Sequence, residues 1–102
     1  MPRGLSQKQR TALALLAVSD RPLDATGELL PMLGDKPNES TRRSLIRALR
    51  TMEDRGLVSL SRHPSPRGGW GVVLASIRGT GYREWLTAAE LTRARSQISL
   101  DG

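Results

Sequence analysis

The sequence predicts a mainly α-helical domain with one small β-hairpin: a three-helix core, a two-stranded hairpin and a C-terminal helix. Three observations predict it. Apolar residues recur at helical spacing in four separate segments. Two alternating segments, 57–62 and 70–76, flank a stretch rich in Pro, Gly and Ser. The chain has 102 residues, which is one domain, with its core expected between about 6 and 86.

The first helix is expected from Gln7 to Ser19. Ser6 and Gln9 stand at capping-box spacing, so the hydroxyl accepts an orphan amide and the glutamine reaches back. Leu5, Ala12, Leu13, Leu16 and Ala17 recur at helical spacing, and Asp20-Arg21-Pro22 stops the helix. The second helix is short, from Thr26 to Leu33, with Asp24 or Thr26 as cap and Gly34 as its end. Pro31 lacks an amide hydrogen and crowds the preceding turn. The segment must therefore start late or be irregular.

The third helix, Ser40 to Arg55, is the clearest element. Asn38 or Ser40 caps it and Gly56 stops it. Leu45, Ala48, Leu49 and Met52 form one narrow apolar stripe, with Thr41 at its N-terminal end. At about 100° per residue, Arg43, Arg47 and Arg50 point the opposite way, flanked by Ser40 and Thr51. On that face only Asp54 is acidic, which argues against a mixed-charge solubility face.

The hairpin loop, His63 to Gly69, is longer than a two-residue turn, so its tip should project. Trp70 and Trp85 sit on apolar stripes and are expected in the core. The last helix is expected from Gly81 to Arg95, capped by Thr80, with Tyr82, Trp85, Leu86 and Ala89 as its stripe. Residues 1–4 and 99–102 are expected to be loose ends.

The charge is unevenly placed. The net charge is +6, and 14 of the 16 basic residues are arginine. Residues 40–83 hold nine arginines against two acids, so the whole positive excess lies in the middle of the chain. A localised basic surface points to a polyanionic partner. With no Cys and one His, disulfides, thiolate sites and histidine clusters are excluded. There is no Walker-type phosphate loop and no Ser-x-x-Lys pattern, and Glu53-Asp54 point to adjacent helix faces. No enzymatic activity and no cofactor are expected. The N-terminus lacks a signal-peptide pattern and no stretch is long and apolar enough for a membrane. A cytoplasmic, nucleoid-associated protein is expected.

This order of elements resembles the winged helix-turn-helix regulators, in particular the MarR-like and PadR-like branches. The resemblance runs from Thr26 to about Trp85. Thr26-Gly27-Glu28-Leu29-Leu30 with Met32-Leu33-Gly34 looks like that family's second helix. Leu45 to Leu49, followed by Met52-Glu53-Asp54-Arg55-Gly56-Leu57-Val58, looks like its recognition helix entering the first wing strand. Gly81 before Tyr82 resembles the glycine opening the helix after the wing.

The resemblance implies that the N-terminal half of the third helix enters the major groove. Arginine there reads guanine through paired hydrogen bonds. Ser40, Thr41, Arg42, Arg43 and Arg47 are the expected groove residues, with Arg50 further along on phosphate. In the wing, about 62–70, Arg67 with Gly68 and Gly69 is expected in the minor groove or on the backbone, and Arg62 on phosphate. His63 is expected to be a strand-end or loop residue rather than a contact. The expected function is sequence-specific binding of double-stranded DNA in transcription regulation. The alternatives are a winged-helix protein–protein module, or a plasmid or phage replication or architectural DNA-binding protein. The apolar breadth of the first helix (Leu13 to Val18) and of the last (Ala88, Ala89, Leu91, Ala94, Ile98) suggests a homodimer.

Overall fold

The run Ala12–Leu16 decides the architecture. In helix α1 (Gln7–Val18) these five consecutive residues are all buried. Five in a row cover more than one turn, so the middle of α1 is enclosed on every side. The structure, a computed structural model, describes residues 4–69 and 71–101. The capping box forms as expected: the Gln9 amide donates to Ser6 Oγ (3.2 Å) and the Ser6 amide donates to Gln9 Oε1 (2.9 Å).

The expected second helix is not a regular one. Strand β1 (Leu23–Asp24) leads into a π-helical turn, Ala25–Leu29, and then a three-residue α-helix, α2 (Leu30–Met32). Asp24 caps the turn by accepting from the Thr26 amide at 3.2 Å. The irregularity resolves the Pro31 problem. The regular helix restarts at Leu30, which puts Pro31 in its first turn, where an amide hydrogen has no intrahelical partner. Gly34 ends it as expected, with Asp35 N–H bonded back to the Leu30 carbonyl.

Helix α3 spans Glu39–Asp54 and is capped by Asn38, whose Oδ1 accepts from the Thr41 amide at 2.9 Å. Leu45, Leu49 and Met52 are buried, whereas Ala48 is half-buried. Gly56, at φ 74°, closes the helix with a Leu57 N–H bond to the Met52 carbonyl (3.0 Å). That conformation is left-handed, which glycine adopts without steric cost.

The hairpin is present slightly later than expected: β2 (Val58–His63) is shifted by one residue, and β3 (Val72–Ile77) starts two residues later and ends one later. Its register pairs Val58 with Ile77, Leu60 with Ala75, Arg62 with Val73 and His63 with Val72. The sheet has a third strand that sequence reasoning missed. The order is β1-β3-β2, all antiparallel, with Leu23 opposite Ala75 and Asp24 opposite Leu74. Two residues carry too little alternation to read as a strand.

The last helix differs most. Residues Gly81–Glu84 form a 3-10 turn in which Thr80 makes no side-chain cap, and helix α4 runs over Ala88–Asp101. Its cap is Thr87: the Glu90 amide donates to Thr87 Oγ1 (3.2 Å) and the Thr87 amide donates to Glu90 Oε1 (2.8 Å). The expected loose end at 99–101 is helical, because nothing from Ala88 to Asp101 is Gly or Pro. Ala89, expected in the stripe, is exposed; Leu86 and Ala94 are buried. Trp85 is half-buried, with the Arg55 guanidinium 5.2 Å from its ring centre. The expected core position of Trp70 lies outside the described residues.

The molecule is thus mostly helical with a small three-stranded antiparallel sheet. Its core joins α1, the π-turn, α3 and the inner face of the hairpin through Leu13, Leu16, Leu29, Leu45, Leu49 and Val58. Polar ties anchor the periphery: Lys8 Nζ to Asp35 Oδ2 (2.6 Å), Gln9 Nε2 to the Ala48 carbonyl (3.3 Å) and Gln97 Nε2 to the Met32 carbonyl (2.6 Å). The apolar breadth of α1 is used inside the fold and leaves no surplus at Ala12–Leu16 for a second copy. Among the described residues of α4, the apolar ones left exposed are Ala88 and Ala89. Among the described residues no helix is long and apolar enough to cross a membrane.

Candidate nucleic-acid interface

Helix α3 buries one narrow stripe and leaves the rest of its circumference outward. Ser40, Arg43, Arg47 and Arg50 are all exposed, as the helical spacing requires. Glu39, Ser40, Arg43, Ser44 and Arg47 line one shallow surface hollow, and Arg42, Arg43, Ile46, Arg47, Arg50, Thr51 and Asp54 line the next. The expected arginine face therefore exists as a continuous surface.

Its members are not equivalent. Arg43 Nη2 sits 2.5 Å from Glu39 Oε1, one turn toward the N-terminus, and both side chains are well exposed. Glu39 lies just before the expected start of the helix, so it was missed as a counter-charge. The i, i+4 spacing of Glu39 and Arg43 was the available signal. The side chains of Arg47 and Arg50 make no ion pair or hydrogen bond among the described residues. Thr41, also among the expected contacts, is engaged within the chain. Its hydroxyl donates to the Lys36 carbonyl (2.5 Å) and accepts from the Asn38 amide (3.1 Å), and the residue is half-buried. Arg42 is also half-buried, on the helix flank that faces the hairpin.

The hairpin tip is a Ser65-Pro66-Arg67-Gly68 turn, closed by the Gly68 amide on the Ser65 carbonyl at 3.2 Å. Arg67 has a negative φ, so the turn is of type I, with proline at its second position and glycine at its fourth. Arg67 occupies the outer corner, exposed, followed by Gly68 and Gly69 at φ 81° and 76°. Lower on the hairpin, Arg62 is exposed and its Nη2 donates to Glu53 Oε1 at 3.5 Å, the outer limit of a hydrogen bond. His63 ends β2, as expected, and its Nε2 is 2.8 Å from Ser61 Oγ.

The structure brings helix flank and hairpin together. Arg42 and Ile46 share a cleft of about 220 Å³ with Arg62, His63, Pro64, Gly71, Val72 and Val73. Sequence reasoning did not place Ile46, Glu53 or Val73 at the site, because their meeting depends on how the hairpin docks on α3. Among the described residues no three His, Asp or Glu side chains converge as metal ligands do. Compared with known proteins, the chain matches no family model, no curated protein and no solved structure.

Proposed function

We propose that this chain is a winged-helix protein that binds double-stranded DNA sequence-specifically, as a transcription regulator. In this reading α3 is the major-groove helix and β2–β3 the wing. The observation that carries it is the shared cleft: Arg42 and Ile46 of α3 line one surface with Arg62 and His63 of the hairpin. Two consecutive elements of different type thus present arginine on a common side, which suits a polyanion with two grooves. Ser40, Arg43 and Arg47 would meet base edges, while Arg50 and Arg62 would meet phosphate. Arg67, at the corner of the tip turn, would reach the neighbouring minor groove.

A homodimer on a palindromic site belongs to the same proposal. Its support has narrowed to the outer face of α4, since α1 is enclosed.

The test is selection of bound duplexes from a random pool, followed by affinity measured against salt. The association constant should fall by about 0.9 log units per log unit of salt for each phosphate contacted. Absence of duplex binding at low salt would overturn the proposal in favour of a protein-contact module.

A further inference from the structure

The cleft between α3 and the hairpin has a composition unlike the rest of the basic face. Its floor is apolar: Ile46 is half-buried on the helix, and Val73 is 8% exposed on β3. The register sets Val73 opposite Arg62, so both project from the same face of the sheet. Arg42 stands on the helix rim and Arg62 on the hairpin rim. The neck of the hairpin, His63-Pro64 against Gly71-Val72, forms the end wall.

At about 220 Å³ the cleft is smaller than the roughly 300–1,000 Å³ typical of a drug-sized ligand, and it is open. An apolar floor between two guanidinium groups suits an anion with an apolar side. A nucleic-acid backbone has that alternation: the sugar carbons are apolar and the phosphates anionic. Arg62 is already placed on an anion, the Glu53 carboxylate, but at 3.5 Å the pair is loose. Both partners are partly solvent-exposed, so the attraction between them is weak and easily exchanged.

We infer that this cleft seats one strand of the DNA backbone, with a deoxyribose against Ile46 and a phosphate taken by Arg62 in exchange for Glu53. The inference rests on the DNA-binding reading and adds a residue that neither the charge count nor the helical spacing indicated. Glu53 is a placeholder: it offers the wing arginine a loose carboxylate partner in the free protein and competes with the phosphate. Removing its charge should therefore tighten binding, and only through Arg62.

The experiment uses the full chain and a fluorescent duplex of about 24 base pairs of mixed sequence, in a titration from low to moderate salt. Arg62→Ala should weaken binding about tenfold at low salt and reduce the salt slope by about 0.9. Glu53→Gln should tighten binding severalfold in the wild-type background and change nothing in the Arg62→Ala background. Ile46→Asn should weaken binding, with Ile46→Val close to wild type, and thermal melting should show both to be folded.

Tightening by Glu53→Gln that persists without Arg62 would be a general charge effect and would overturn the exchange. An unchanged slope in Arg62→Ala, with Arg47→Ala still weakening binding, would remove the cleft while leaving α3 as the DNA-reading helix. No duplex binding by the wild type would remove both readings. Arg62-dependent binding of polyglutamate in place of duplex would assign the cleft to an acidic protein segment and overturn the inference.

Discussion

Arg43 and Arg47 lie one turn apart on the same exposed face, but their surroundings differ. Arg43 is held by Glu39, and Arg47 is unpaired among the described residues. An arginine that must leave a carboxylate contributes less on binding than one that arrives free. Arg47→Ala is therefore expected to cost about 1–3 kcal/mol at a selected duplex, and Arg43→Ala less. Fluorescence anisotropy on both variants checks the order; equal losses would show that the Glu39 pair has no influence. Glu90 sets a second prediction. The Arg10 guanidinium bonds its carboxylate at 2.5 and 2.8 Å, and together with the Thr87 amide it holds Glu90 well below the usual carboxylate range, at about 2. A carboxyl depressed in the folded state stabilises fully above its ordinary value of 4.5, and that contribution is lost as pH falls toward about 2. Wild type should melt above Glu90→Gln at neutral pH, with the gap closing over that acid window. A gap independent of pH would assign the effect to packing. Both halves of this ion pair were visible in the sequence, but they stand 80 residues apart, and no spacing rule reaches that far.

At the scale of elements, most local signals predicted well where the stabilising partner is local, the start of α4 being the exception. The Ser6–Gln9 box and the Gly34 and Gly56 stops form as read, and of the two caps open for α3 Asn38 is the one that forms, because each needs only neighbours along the chain. Helix α4 was begun seven residues early because its start was assigned to Thr80. The capping box at Thr87 and Glu90 is the same signature that marked α1, and it was legible. The hairpin depends on Gly71. A Cβ built there would stand 2.4 Å from the His63 carbonyl oxygen and 2.8 Å from Pro64 Cα, both backbone atoms. Neither can yield without opening the neck. Gly71→Ala is expected to cost about 1–3 kcal/mol of stability and to weaken DNA binding further by displacing the wing. Urea unfolding and anisotropy on the same variant separate the two effects. A variant with wild-type stability would show that the strands part freely at this point. In α3, Leu49→Ala removes a fully buried side chain and should cost about 2–5 kcal/mol. A loss below 1 kcal/mol in urea unfolding would place Leu49 outside the cooperative core.

For the whole molecule, the decisive fact is where the basic residues end up. The sequence by itself determined the helical class, the hairpin, the apolar stripe of α3 and the concentration of positive charge between residues 40 and 83. Each of these follows from periodicity, turn chemistry or counting, which act through neighbours along the chain. Tertiary structure decided the rest. It enclosed α1, so that its apolar breadth serves the core. It recruited Leu23–Asp24 as a third strand. It also set Ile46 and Arg42 against Arg62 and Val73 to make a cleft. These outcomes depend on contacts between residues far apart in sequence. Their geometry is set by the packing of whole elements, and no local pattern in the chain encodes it.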